Sequence, residues 1–173
     1  MFIERGSTWK KWDFHVHTPY SILNNGYGFN PYEPFEGKDP FDEYVARLFT
    51  KAVAQNVSAI GITDYFSIEG YKRIQKEYLC NPDKMACLFP DAELRRRVKE
   101  ILVFPNIELR LDTFVGKNAH SVNYHVIFSD EVSIEDIEQN FLSQLQLAYH
   151  PGNTLALTRQ NIERIGREYK ESN

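Results

Sequence analysis

The chain has 173 residues, with 20 Lys and Arg against 24 Asp and Glu, a net charge of −4 and a hydrophobic share of 42%. That balance excludes disorder, collagen-like repeats and low complexity, and argues against charge-driven bulk binding to DNA or anionic membrane. No apolar run approaches the roughly 18 residues that cross a bilayer. The N-terminus MFIERGSTWKKWDF is too charged for a signal peptide, and two cysteines, Cys80 and Cys87, suit a reducing compartment, so a cytoplasmic protein is expected.

Trp12–His17 is short and apolar-rich, and predicts a strand. Residues 24–40, rich in Asn, Gly and Pro, predict one long loop. Asp39 then caps a helix with Pro40 at its first position. Phe41, Tyr44, Val45, Leu48, Phe49, Ala52 and Val53 form its inward face. Ser58–Thr63 is a continuous apolar run, as in a strand covered on both faces. Ser67 caps a further helix with Ile68, Tyr71, Ile74, Tyr78 and Leu79 inward. Residues 80–93 read as irregular, and a polar helix follows over Asp91–Glu100. Ile107–Asp112 alternates, with Ile107, Leu109 and Leu111 on one face and Glu108, Arg110 and Asp112 on the other. Val122–Phe128 is another strand, Ser133 opens a helix reaching Leu145, and Thr158 caps the last helix. Strand–helix alternation with apolar strands predicts an α/β fold with a mainly parallel sheet. Chemistry in such folds gathers at the C-terminal ends of the strands.

The first strand ends in D-F-H-V-H-T, which puts Asp13, His15 and His17 on one face by simple alternation. Two imidazoles at this spacing can share one metal ion or hold two neighbouring ions, and they suit Zn, Mn or Fe. Two unrelated histidines in a turn are the bland alternative. The second strand ends in T-D-Y, so Asp64 and Tyr65 lie at its edge. Asp64 can ligate a metal, orient a histidine or cap the next helix, and capping is the favoured role on residue type alone. Glu108 is either an exposed edge residue paired with a cation or a carboxylate bridging metals. His125, inside N-Y-H-V-I-F, is costly in so apolar a strand unless hydrogen-bonded or ligated. His120 and His150 are weaker candidates. The run Arg95–Lys99 (RRRVK) reads as a solvated face, with phosphate-backbone contact as the minor alternative. No Walker A, G-x-G-x-x-G or G-x-S-x-G sequence competes.

Together, D-F-H-V-H-T-P-Y-S (13–21), I-G-I-T-D (60–64), N-I-E-L (106–109) and N-Y-H-V-I-F (123–128) come in the order of the PHP superfamily, the polymerase and histidinol phosphatase type of metal-dependent phosphoesterase. The stretches S-T-W-K-K-W-D-F-H-V-H-T-P-Y-S and I-T-D-Y-F-S-I-E-G-Y resemble more narrowly the TrlF-like proteins, which join such a domain to an ATPase region. The resemblance implies a partial or distorted (βα)7 barrel with divalent metals (Zn, Mn or Fe) at the strand C-termini. It implies hydrolysis of a phosphoester by metal-activated water, in a nuclease-type enzyme linked to an ATPase in DNA repair or phage defence.

Residue by residue, the resemblance makes His15, His17, Glu108 and His125 metal ligands. It gives Glu108 and Asp64 catalytic roles and makes Tyr65 and Ser21 candidate substrate contacts. The pattern departs from the family in three places. Tyr65 stands where T-D-H is usual, the loop after Ser21 lacks the customary Asp or His, and the late Asp-x-His motif is absent. A degenerate domain acting as a non-catalytic metal- or nucleic-acid-binding regulatory module is therefore the second expectation. Four strands are also few for a closed barrel. Residues 1–173 are thus expected to be a single domain and the N-terminal part of a longer protein. A C-terminal ATPase region or a partner chain would complete it.

Overall fold

A continuous run of apolar residues, Val57–Tyr65, forms the best-covered strand, buried along nearly its whole length. The structure, a computed structural model, describes the backbone of residues 9–21, 26–115, 120–150 and 152–172. The elements are β1 (Lys11–His17), α1 (Pro40–Ala54), β2 (Val57–Tyr65) and α2 (Glu69–Arg73), the last continuing as a π-helical stretch over Ile74–Leu79. Then come α3 (Pro82–Leu88), α4 (Ala92–Lys99), β3 (Leu102–Val115) and β4 (His120–Ile127). Last come α5 (Ile134–Asp136) with π and 3-10 turns reaching Gln144, then β5 (Gln146–His150), β6 (Asn153–Ala156) and α6 (Arg159–Ser172). No helix among the described residues is long and apolar enough to cross a membrane.

This is a mixed α/β fold with a four-stranded sheet in the order β1-β2-β3-β4, consistent with part of a barrel. β1 and β2 pair in parallel. β2 reaches β3 through a helical crossover. β3 and β4 are neighbours in the sheet. The chain packs as two compact units, residues 1–107 with 127–130, and residues 108–126 with 131–173.

In the first unit, α1 starts where the sequence places it, with the Asp39 carboxylate accepting from Phe41 N at 2.9 Å and Pro40 in the first turn. Phe41, Val45, Phe49, Ala52 and Val53 are buried as the helical pattern predicts. Arg73 pins this helix start: it pairs with Asp39 and lies 4.5 Å over the Phe41 ring. Ser67 Oγ accepts from Glu69 N at 3.1 Å, but the N-cap position of α2 is Ile68, which makes no side-chain cap, so the expected cap lies one residue early. The stretch expected to be irregular instead contains α3, capped by Asn81 through Lys84 N at 3.0 Å, with Pro82 at its start.

In the second unit, β5 and β6 form an antiparallel hairpin that the sequence reading missed. Its turn includes Gly152 at φ +84, and Leu157 N donates to Leu145 O beyond the paired residues at 2.8 Å. α6 is tied to β5 by the Tyr149 hydroxyl on Glu168 at 2.5 Å and by Arg164 lying 5.5 Å over the Tyr149 ring.

One irregularity governs the first unit. Asp13 pairs with Ile60 and Val16 with Ile62, so β1 spends three steps where β2 spends two. That is a β-bulge, which re-aims the side chains beside it. The displaced Phe14 carbonyl accepts from Asn106 Nδ2 at 2.6 Å and Thr63 Oγ1 at 3.1 Å. A Cβ on Gly61 would lie 2.6 Å from that carbonyl and 2.8 Å from Phe14 Cα, so only glycine fits beneath the bulge. Gly61→Ala should therefore destabilise the protein by about 2 kcal/mol or more. Gly166→Ala, with open space around its new Cβ on α6, should be neutral or stabilise by roughly 0.5–1 kcal/mol. Urea denaturation of both variants checks this contrast.

Candidate metal centre

The bulge places His15 and His17 at the end of β1 with their Nε2 atoms 3.1 Å apart. Two nitrogens sharing one ion at about 2.0–2.1 Å from it would lie roughly 3.0–3.4 Å apart. The pair is therefore spaced for a common cation, although simple alternation did not predict the bulge that sets it. His15 N also donates locally to Asp13 Oδ1 at 3.3 Å.

His17 is held on every side. Its Nδ1 lies 2.9 Å from Ser21 Oγ, and its ring stacks on Tyr65 at 5.0 Å between centroids. Its carbonyl accepts from the hydroxyls of Tyr27 at 2.7 Å and Tyr44 at 2.9 Å. A hydrogen bond at Nδ1 leaves Nε2 as the outward nitrogen and fixes the ring's orientation. Ser21 is buried, and its hydroxyl also accepts from Tyr65 N at 3.4 Å. Ser21 and Tyr65 thus both brace His17. Tyr27 and Tyr44 were not singled out in the sequence; nothing in residue type alone marks a tyrosine that holds a strand-end carbonyl.

Asp64 is 1% exposed. Its Oδ1 accepts from Thr18 N at 3.2 Å and Thr18 Oγ1 at 2.7 Å, and its Oδ2 from Gly70 N at 3.0 Å. It ties the segment after β1 to the start of α2. This is close to the capping role, and a side chain on Gly70 would run into it.

In the second unit, Glu108 of β3 is completely buried, not an exposed edge residue as one alternative held. Both Ile107 and Glu108 are 0% exposed, while Leu111 is 39% exposed, so the alternation of this strand does not divide a dry face from a wet one. Asn123 Nδ2 donates to Glu108 Oε1 at 2.5 Å, and His125 Nε2 lies 4.0 Å from the same oxygen. A buried carboxylate is costly without donors or a cation around it.

Within the first unit the ligand atoms are the Nε2 nitrogens of His15 and His17, and within the second they are the Glu108 carboxylate and His125 Nε2. Imidazole and carboxylate are donors that fit Zn, Mn or Fe. Asp64 stands apart, engaged with Thr18 and Gly70. The backbone of His120 begins β4 and that of His150 ends β5, and their side chains lie outside the described residues. Among the RRRVK run, Arg95 Nη1 donates to Phe89 O at 2.5 Å, and Arg96 pairs with Glu93 at 2.7 Å and with Glu100. Arg97 Nη2 donates to Val53 O and Asn56 Oδ1, both at 3.0 Å. Against known proteins, no family model, curated protein or solved structure matches the chain.

Burial pushes the Asp64 carboxyl up to about 7, against the downward pull of its hydrogen bonds from Thr18 and Gly70. In the unfolded chain the same group ionises near 4. Between about pH 4 and 7 the native state therefore keeps a proton that the unfolded chain has lost, and stability falls as pH rises. From pH 5 to 7 this costs about 2–3 kcal/mol. Urea titrations of wild type and Asp64→Asn at both pH values should show the wild type losing stability relative to the variant as pH rises.

Proposed function

We propose that the chain is a PHP-type metal-dependent phosphoesterase domain. The observation that carries this reading is the pairing of the His15 and His17 Nε2 atoms, 3.1 Å apart at the end of β1. The order of the H-x-H, T-D, N-I-E-L and N-Y-H-V motifs, which matches the PHP pattern, supports it. His15 and His17 supply neutral nitrogens for one ion or two neighbouring ones, and the PHP pattern adds Glu108 and His125 as further ligands. A bound divalent metal would lower the pKa of water and neutralise charge on the phosphate.

The chain's own residues do the rest. Asn123 holds Glu108 through Oε1, and Ser21 turns His17 Nε2 outward. An open hollow of about 780 Å³ lined by His15, His17, Tyr27, Tyr44, Arg47 and Lys51 gives an anionic substrate a way in. Asp13 and Glu43 line it too, and Glu43 pairs with Arg47 at 3.9 Å, so Lys51 is the cation that would draw the substrate there. The TrlF-like motifs extend the proposal to a nuclease-type activity linked to an ATPase region or a partner chain.

A second reading has one observation in its favour. Tyr65, where complete PHP domains carry a histidine ligand, is stacked on His17 instead. With that ligand gone, the domain would bind metal or nucleic acid without turnover.

Purified protein should take up Zn, Mn or Fe, and His15→Ala should lower the affinity by more than about tenfold. With added Mn, wild type should hydrolyse nitrophenyl phosphate or a single-stranded oligonucleotide, and His15→Ala should not. Metal uptake without turnover supports the second reading. A protein that takes up no metal contradicts the first reading.

A further inference from the structure

At the other end of the strands from His15 and His17 lies a surface that the metal chemistry does not use. Lys11, Val57 and Leu102 begin β1, β2 and β3, and together they line a hollow of about 670 Å³. Six steps along β1 separate Lys11 from His17, roughly 20 Å of extended chain. Trp9 and Trp12 also line this hollow, and they are 104% and 63% exposed. Leu102 between the strand starts is 52% exposed. Large apolar groups gathered in the open mark an interaction site.

The charges around the indoles are positive. Lys10, Lys11 and Arg97 line the hollow, and the one acidic lining residue, Glu100, is already paired with Arg96. Arg97 is held in place by its bonds to Val53 O and Asn56 Oδ1. It is the member of the RRRVK run whose guanidinium joins this surface, whereas Arg95 and Arg96 are spent on Phe89 O and on carboxylates. The Trp12 ring is braced by Phe14, at 5.5 Å between centroids. The chain as a whole carries −4, so this is a local concentration of cations around rigid aromatic faces.

We propose that Trp9, Trp12, Lys10, Lys11 and Arg97 form a binding surface for single-stranded nucleic acid. The indoles stack on bases while the cations hold the intervening phosphates. Every base offers a flat face and every linkage a negative charge, which is the alternation W-K-K-W presents. An acidic peptide would satisfy the cations and leave the indoles without flat partners. The proposal stands independently of the phosphoesterase reading, since it uses none of the proposed metal ligands.

The chain has only two tryptophans, and both are here, so intrinsic fluorescence reports on this surface alone. Titration with a 12-nucleotide oligothymidylate in EDTA, where no metal-dependent turnover occurs, should quench it saturably. Affinity should fall as salt is raised from 50 to 200 mM, and each phosphate contact removed by Lys10→Gln or Lys11→Gln should reduce the log–log slope by about 0.7. Trp9→Ala, read through Trp12, should weaken binding about five- to a hundredfold. The absence of quenching in a folded protein would overturn the proposal, as would an equal response to polyglutamate of matched charge. Affinity that ignores both the lysine and Trp9 variants would overturn it too.

Discussion

The carbonyl of Phe14 leaves the sheet's regular ladder, and the placement of His15 and His17 depends on that departure. A displaced backbone acceptor must find donors elsewhere. Here they are the Asn106 amide of β3 and the Thr63 hydroxyl of β2, themselves 2.9 Å apart. The extra residue of β1 can press onto β2 because Gly61 has no side chain. Each of these three residues looks unremarkable as a polar or small residue in a strand. Together they set the distance between two imidazole nitrogens, and Asn106 stands two residues before Glu108 in β3.

Around this bulge the first unit is braced by hydrogen bonds that serve position rather than bulk stability. Tyr27 and Tyr44 close on the His17 carbonyl, Ser21 on its ring, and Asp64 on Thr18 and Gly70. Polar groups this deeply buried are tolerated when their partners are in place. Burying Asp64 so deeply raises its pKa, because the loss of water outweighs three donors. The same arrangement that orders the end of β1 therefore makes the native state respond to pH in the sense opposite to that of an ordinary ion-paired carboxylate.

The sequence made much of this legible where a local rule governs. The Asp39–Pro40 helix start, the Ser58–Thr63 run and the H-x-H strand end all follow from residue type and spacing. α3 was legible too, through the cap and proline at Asn81–Pro82, but its short length hid it among turn-forming residues. The β5–β6 hairpin was not, because its strands are four or five residues long and carry no strong alternation. The bulge was out of reach for a different reason: register is a property of two strands, and one strand's sequence does not contain it. Glu108 illustrates the ambiguity that remains. Its polar–apolar alternation fits a wet edge as well as a buried site, and only the packing of both faces of β3 distinguishes them.

The central proposal is that a bulged strand end presents His15 and His17 to a divalent metal ion. X-ray absorption of the zinc-loaded protein tests it most directly. The account predicts at least two imidazole nitrogens at about 2.0–2.1 Å, and loss of one imidazole in His15→Ala. A zinc environment of oxygen alone, or one unchanged by that substitution, would contradict it.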